Sequence, residues 1–160
     1  MTRPRGVARA PKDSTRLIPS EIRTLAALAR GLTTEEALEE LGISKDTFNG
    51  CLRSIRYKQH CSSRASKVRA AYESQDLPLR DPVAAPEPIS DEDRQLWIAV
   101  AVQPDPQAIA DAVYLSKATA RKRIAKLMAR FEAVTEPHLV TIGYAFGVIP
   151  APAGAALAAG

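Results

Sequence analysis

The chain has 160 residues, which allows one ordinary domain or two small domains of about 60–65 residues each. Hydrophobic residues make up 46% of it and aromatic residues only 5%, so its core must consist mainly of alanine and aliphatic side chains, which favours helix. No apolar run reaches the length of a membrane-spanning helix, and no apolar segment follows the basic N-terminus as in a secretory signal. These features exclude an integral membrane protein and argue against secretion, and we expect a cytoplasmic protein.

The net charge of +4 is unevenly distributed along the chain. Residues 44–69 hold seven basic residues and one acid, and residues 116–131 hold six basic residues and no acid. Residues 81–93 hold five acids and no base. Two separate basic segments predict two surfaces that face phosphate groups. Two solvated helix faces that happen to be basic would give the same pattern, so charge alone leaves both interpretations open.

Composition divides the chain into five segments. Pro82, Pro86 and Pro88 restrain their neighbours to extended geometry, which predicts a semi-rigid linker. The two ends lack helical periodicity and are predicted to be disordered. The basic residues of the N-terminal arm would either follow a DNA groove or only keep the chain soluble. The segments are a basic arm (residues 1–16), a first module (17–80), the linker (81–88), a second module (89–150) and a flexible tail (151–160).

Each module is predicted to contain four short helices, because apolar residues recur at helical spacing between turn and cap residues. In the first module, Ser20 is the predicted N-cap of the first helix and Gly31 ends it. The second helix begins at Thr34, and Gly42 makes the turn before Ser44, which caps a third helix running to about Lys58. The fourth covers about Arg64–Glu73. The second module repeats this over about Asp91–Val102, Pro106–Val113, Ser116–Phe131 and Pro137–Phe146.

The two modules align with each other without a gap when the sequence is shifted by 72 residues. Ser44 then falls on Ser116 and Thr47 on Thr119, and the apolar positions coincide as well. This register predicts an internal duplication. Gln103 stands where the first module has Gly31, so we expect the first connection of the second module to differ.

In each module, a helix, a short turn and a capped basic helix follow one another, which is the helix-turn-helix pattern. The first module reads L-I-P-S-E-x-x-x-L-x-x-L-A-x-G-L-T-x-E-E-A-x-x-x-L-G-I-S-x-x-T-F-x-x-x-L-x-x-I-x-x-K from Leu17. This resembles the LuxR/FixJ-type (GerE-like) DNA-binding domain of bacterial regulators. The second module matches less well, but in the same register, through Leu115-Ser116, Thr119 and Ile124.

The resemblance covers most of the chain and implies an all-α fold of two tetrahelical helix-turn-helix modules joined by the Pro-rich linker. It implies double-stranded DNA as the partner, a nucleoid-associated location in the cytoplasm, and no cofactor. It also implies that the third helix of each module contacts the DNA. Arginine there can bind guanine and asparagine can bind adenine in a bidentate manner, and hydroxyls and lysines at a helix N-terminus suit phosphates.

The implied contacts fall into two groups. Those to bases would be Asn49, Gly50, Arg53, Arg121, Lys122 and Ala125. Those to phosphates would be Ser44, Lys45, Thr47, Arg56, Lys58, Arg64, Ser116, Lys117, Thr119, Arg123, Lys126 and Arg130. The two serines could instead serve only as N-caps, and the cations of the first module could form only a solvated face.

The two modules are not expected to read identical half-sites, because Asn49-Gly50 carries no charge where the second module has Arg121 and Lys122. One module could even have become a surface for a partner. The eleven steps from about Pro78 to Ile89 span at most about 35–40 Å, just enough for half-sites one turn apart, about 34–36 Å. In the resembled family the fourth helix commonly mediates dimer contacts. Tyr72 and Tyr144, with the valines four residues before them, would form an internal pseudo-dimer or only close the core of each module.

Three functions are compatible with these features. The leading one is a bacterial sequence-specific DNA-binding protein, a transcriptional regulator that reads DNA with the third helix of each module. The second is a protein-interaction module resembling region 4 of sigma factors, favoured by the acidic linker and the weakly charged first face. The third is a plasmid, phage or chromosome-maintenance DNA-binding protein. A second copy of the chain or a regulatory protein stays open as a further partner.

No enzyme is expected, because the residues offer no Ser/His/Asp set, no glycine-rich phosphate loop and no catalytic carboxylate pair. Cys51, His60 and Cys61 lack a fourth metal ligand at a useful spacing. We therefore expect two free thiols and no metal site.

Overall fold

The computed structural model describes residues 16–152, within which there are eight α-helices and no strands. The fold is therefore all-α, as expected. In chain order the helices are α1 (Pro19–Ala29), α2 (Thr34–Leu41), α3 (Lys45–Gln59), α4 (Arg64–Glu73), α5 (Asp91–Val102), α6 (Pro106–Ala112), α7 (Lys117–Arg130) and α8 (Glu136–Ala145). Apart from Arg16, Ala151 and Pro152, the expected basic arm and flexible tail lie outside the described residues. Within residues 16–152, no helix is both long and apolar enough to cross a membrane.

The first helix begins two residues earlier than the sequence pattern predicts, and Ser20 is not its N-cap. Ile18 occupies the N-cap position, and its backbone N–H donates to Oε1 of Glu21 at 3.0 Å. Pro19 follows as the first helical residue, where its missing N–H is not needed and its fixed φ suits the helix. The other predicted boundaries agree with the structure to within one residue.

The backbone takes the same turns in both halves of the chain (residues 17–80 and 89–150). Three residues with left-handed φ angles in the first half have left-handed counterparts 72 positions later. The pairs are Gly42 with Tyr114, His60 with Glu132, and Gln75 with Gly147. Every helix of the first half likewise has a counterpart that begins 72 residues later or within one residue of that position.

The first connection of each half is where the two backbones differ, as the sequence predicts. Gly31 has a φ of +90°, and the N–H groups of Gly31 and Leu32 close the end of α1 by donating to Leu28 and Ala27. Gln103 instead has a φ of −79° and extended geometry. The reason is local: a residue before proline avoids the helical region, and glutamine has no preference for the left-handed one.

A single hydrophobic core runs through both halves. In the second half it is built around Trp97, whose side chain is fully buried. The indole Nε1 of Trp97 donates to the carbonyl of Leu139 at 2.7 Å, and its ring lies 5.1 Å from that of Phe131. Gly143 makes this packing possible, because a Cβ atom there would lie 2.6 Å from Nε1 of Trp97.

The fourth helices of the two halves, α4 and α8, pack on each other. The rings of Tyr72 and Tyr144 are 4.9 Å apart. The hydroxyl of Tyr72 lies 3.0 Å from Oγ1 of Thr141, and that of Tyr144 donates to Oε2 of Glu73 at 2.5 Å. Burial raises the pKa of both phenols, and the Glu73 carboxylate raises the pKa of Tyr144 further. Both phenols are therefore neutral hydrogen-bonding groups across the junction.

The contacts between the halves are reciprocal. The first helix of one half, α1, contacts α8, and its counterpart α5 contacts α4. Such reciprocity is what a two-fold relationship between two similar units produces. Of the two alternatives that the sequence left open for Tyr72 and Tyr144, the structure has the contact between the halves.

The proline-rich segment (residues 81–88) is held along the second half. The backbone N–H of Val83 donates to the carbonyl of Ala145 at 2.8 Å, and Ala85 packs against the core. Glu87 accepts hydrogen bonds from Arg130 of α7. The segment therefore follows α7 and α8 rather than crossing open solvent.

Candidate nucleic-acid interface

The turn before α3 is formed by a glycine and a capping serine. Gly42 ends α2 with a φ of +67°, a conformation that costs glycine nothing. The side chain of Ser44 accepts a hydrogen bond from the backbone N–H of Thr47 at 3.1 Å. Ile43 packs against the core between the two helices. The turn and cap thereby fix the direction in which α3 leaves α2.

The turn before α7 follows the same geometry with a different residue at its centre. Tyr114 has a φ of +58° where the first half has glycine, and 94% of its surface is exposed. Ser116 caps α7 by accepting from the N–H of Thr119 at 3.1 Å. Both serines are therefore N-caps, and both remain exposed at the start of their helices.

The exposed face of α3 carries part of the predicted contact set. Arg53 and Arg56 are exposed, whereas Asn49 and Gly50 are half-buried. A Cβ atom on Gly50 would meet only a guanidinium nitrogen of Arg53, at 3.8 Å, so the space around Gly50 is open. Tyr57, which the sequence analysis did not select, projects from the same helix with 78% of its surface exposed.

The exposed face of α7 is more strongly charged. It has no acidic residue between Ser116 and Arg130. The predicted contact residues that are exposed on it are Lys117, Thr119, Arg121, Lys122, Arg123, Ala125 and Lys126. The structure thus brings seven of the positions selected in the second half onto the surface of one helix.

Lys58 and Arg130, both predicted to contact phosphates, are instead held in ion pairs with acids of the protein, Lys58 largely buried and Arg130 partly exposed. Nζ of Lys58 lies 2.9 Å from Oε1 of the buried Glu21, and a guanidinium nitrogen of Arg130 lies 2.7 Å from Oδ2 of Asp93. These are equivalent ion pairs, because Asp93 and Arg130 stand 72 residues after Glu21 and Lys58. Each pair joins the start of the first helix of its half to the end of the third.

The pKa values of these groups agree with firm pairing. Burial alone would raise the pKa of Glu21, but hydrogen bonds from Ser54, Lys58 and the backbone of Ile18 outweigh it and hold the pKa below its usual value. Hydrogen bonds to Asp93 and Glu87 raise the pKa of Arg130. We therefore remove Lys58 and Arg130 from the DNA-contact set. The sequence held a signal for these pairs, because the shift of 72 residues places an acid on an acid (Glu21 and Asp93) and a base on a base (Lys58 and Arg130).

Arg64, another predicted phosphate contact, is exposed at the start of α4. Its guanidinium donates to Oγ1 of Thr34 at 3.0 Å and lies 5.6 Å from the ring centre of Phe48. The side chain is therefore held beside the helix-turn-helix with its charge still accessible.

The cysteines, Cys51 and Cys61, are unpaired. No group of three or more His, Cys, Asp or Glu side chains within residues 16–152 is arranged to hold a metal ion.

Comparison with known proteins gives one informative similarity. The HTH-type transcriptional activator RamA of Corynebacterium glutamicum is 39% identical to this chain over 67 residues. That stretch is 42% of this chain and 24% of RamA, so the chain matches about a quarter of that activator's length. No protein-family model and no solved structure match the chain. This weak homology supports a helix-turn-helix DNA-binding domain, in agreement with the geometry of the two turns.

Proposed function

We propose that this protein is a bacterial sequence-specific DNA-binding protein, a transcriptional regulator rather than an enzyme, with two tandem modules of LuxR/FixJ type. The observation that carries this proposal is the pair of exposed basic helices, α3 and α7, each preceded by a helix-turn-helix turn and capped by a serine. The similarity to a transcriptional activator supports the same function. Helices so placed are the elements that such domains lay in the major groove.

The proposed DNA site consists of two unequal half-sites. The reciprocal contacts of the two halves support a two-fold relationship between α3 and α7, and dimeric helix-turn-helix proteins bind sites whose symmetry mirrors their own. The two faces differ in charge, because Asn49 and Gly50 are matched by Arg121 and Lys122. We therefore propose that the half-site under α7 contributes more phosphate contacts and more of the affinity.

Base reading is assigned to exposed or half-buried residues of the two helices, and phosphate binding to cations and hydroxyls around them. The base-contacting set is Asn49, Gly50, Arg53, Arg121, Lys122 and Ala125. The phosphate-contacting set is Ser44, Lys45, Thr47, Arg56, Arg64, Ser116, Lys117, Thr119, Arg123 and Lys126. Tyr57 and Tyr114 are added as exposed hydroxyl donors beside the two faces.

The first test is to sequence the fragments that the purified full chain retains from sheared GC-rich genomic DNA, and then to titrate the best fragment against salt. We expect a motif with two unequal half-sites. We also expect the logarithm of the binding constant to fall linearly with the logarithm of the salt concentration. A steep salt slope without any motif would contradict sequence-specific reading and indicate architectural binding.

Single variants separate the two kinds of contact. Arg121→Ala is expected to cost about 1–3 kcal/mol of binding free energy and to relax specificity at one base position of the motif. Lys117→Ala should weaken binding to all DNA sequences and lower the slope of the logarithm of affinity against the logarithm of salt concentration by about 1. Arg23→Ala, which removes an exposed arginine from α1, is the matched control and should change neither. An unchanged affinity of the Arg121→Ala variant for the selected motif would refute the role of α7.

A second candidate function is supported by the first half. The middle of its third helix is half-buried and uncharged at Asn49 and Gly50, whereas Arg56 and Tyr57 are exposed near its end. Arginine and tyrosine are the residues that protein interfaces favour. If the chain retains no DNA at physiological salt, we propose that α3 binds a transcription protein, as region 4 of sigma factors does, with capture of purified RNA polymerase as the test.

A further inference from the structure

The junction between the two halves contains a cavity of about 440 Å³. Its apolar walls include Ala26 of α1, Leu79 of the segment after α4, and Ile142 and Ala145 of α8. Both halves therefore contribute to it. The volume falls in the range of pockets that hold small organic molecules, about 300–1,000 Å³.

The acidic and strongly basic side chains that line this cavity are all of one sign. Arg30 and Arg80 line it, and its lining contains no aspartate or glutamate. Arg30 pairs with Glu40 outside the cavity, whereas Arg80 has no ion-pair partner within residues 16–152. Arg80 is exposed, and its positive charge acts, against the effect of burial, to lower the pKa of the Tyr72 phenol, which also lines the cavity. An apolar chamber with one unneutralised guanidinium suits a ligand that has an apolar body and an anionic group.

The space is not a necessary product of the repeated fold. The two-fold relationship between the halves gives each lining residue a counterpart 72 positions away. At the counterpart place three of the smaller lining residues are matched by larger ones: Ala26 by Ile98, Thr141 by Arg69, and Ala145 by Glu73. Close packing is the rule inside proteins, and the chain could fill this space with side chains that it already uses at equivalent positions.

We propose that the cavity is a binding site for a small organic anion with an apolar body, whose anionic group pairs with Arg80. Because α1 and α8 belong to different halves, the bound anion would bridge them and stabilise the junction. This site lies apart from the exposed faces of α3 and α7, and its test requires no DNA. Failure of the test would therefore leave the proposed DNA binding untouched.

The test uses two fluorescent probes with the full chain. Anilinonaphthalene sulfonate is an anion with an apolar body, and phenylnaphthylamine has the same apolar body without the charged sulfonate. We expect the anionic probe to bind saturably in a one-to-one complex and to raise the melting temperature of the protein. The neutral probe should bind more weakly, because it cannot pair with Arg80. An absence of saturable binding of the anionic probe up to about 1 mM would overturn the proposal.

Three variants locate the probe. Arg80→Met should weaken binding of the anionic probe by about three- to tenfold and leave the neutral probe unchanged. Ala26→Ile and Ala145→Leu fill the cavity from opposite halves, and each should weaken both probes by at least about tenfold. Arg23→Met, an exposed arginine outside the cavity, is the control. Full affinity in both filling variants, with melting curves that remain cooperative, would place the probe elsewhere and overturn the site.

Discussion

At the scale of single residues, the same type of charge does two different things in this molecule. Arg121 is exposed on the candidate DNA face, whereas Lys58 is held by the buried Glu21. A count of basic residues along the chain cannot separate these cases, because the distinction depends on which acid folds back beside each base. The sequence therefore located the two basic helices but could not show that Lys58 and Arg130 have acidic partners within the protein.

The buried ion pair of Glu21 and Lys58 leads to a prediction about the stability of the fold at acid pH. The pKa of Glu21 lies below its ordinary value of 4.5, so the unfolded chain binds a proton there more readily than the folded one. The stability that this group contributes is present above about pH 4.5 and is lost as the pH falls through the folded pKa. Glu21→Gln should lower the free energy of unfolding at pH 7 by about 1–3 kcal/mol and flatten its dependence on pH in the acid range.

Urea unfolding at several pH values measures both effects. Glu40→Gln is the matched control, since its pair with Arg30 is exposed and exposed pairs contribute at most about 1 kcal/mol. If both variants behave alike, the Glu21 network contributes no more than a surface contact.

Two glycines at helix ends give a second prediction at this scale. Both have left-handed φ angles, but a Cβ atom on Gly42 would meet nothing within 4 Å, whereas one on Gly31 would lie 2.5 Å from Cγ2 of Val134. Gly42→Ala should cost only the backbone strain, about 1 kcal/mol. Gly31→Ala should cost about 1–3 kcal/mol more, because it also overpacks the contact between the halves. Thermal melts of the two variants compare them directly, and equal losses would contradict the close approach at Gly31.

At the scale of helices, the sequence predicted most of what the structure contains. Caps and turn residues such as Ser44, Gly42 and Ser116 act locally, so the helices that they delimit could be read from the chain. The start of α1 was misjudged because Ser20 resembles a cap, whereas Pro19 and Glu21 together favour a start two residues earlier. Contacts between helices depend on residues far apart in sequence, and these were only partly predictable.

The contact of α8 with Trp97 provides a prediction for one helix. Gly143 lets α8 approach the indole, and Trp97 is the only tryptophan of the chain. Gly143→Ala should destabilise the protein by about 1–3 kcal/mol through overpacking, and should shift the emission of Trp97 as its bond to the Leu139 carbonyl is disturbed. Ala129→Gly, at an exposed position of α7, serves as a control that changes stability without changing the emission. Unchanged emission in the Gly143→Ala variant would show that the methyl group is accommodated without disturbing the indole, and would contradict the close approach of α8 to Trp97.

At the scale of the whole molecule, the unexpected feature is the shared core. The sequence suggested two modules with a linker and left the role of Tyr72 and Tyr144 open. The structure joins the halves through these residues and holds the proline-rich segment against the second half. No local pattern reports such a junction, because its residues are as apolar as those that close each half.

The shared core predicts that both halves unfold together. Ile55→Val, a conservative change in the core of the first half, should cost about 0.5–1.5 kcal/mol. Because the halves are coupled, it should lower the denaturation midpoint reported by Trp97 in the second half as much as the midpoint reported by circular dichroism. Gln95→Ala, on an exposed position of α5, should move neither midpoint by a comparable amount. A Trp97 midpoint unaffected by Ile55→Val would mean that the halves fold independently.

The junction of α4 and α8 also bears on how the protein would respond to its own abundance. A regulator that must first assemble from two molecules occupies its site, at low concentration, in proportion to the square of its concentration. Here both partners of the pairing belong to one chain, and tethered partners experience an effective concentration on the order of millimolar. Occupancy of the proposed DNA site should therefore rise linearly with the number of protein molecules in the cell. Each molecule would then contribute as much to that occupancy at low copy number as at moderate copy number.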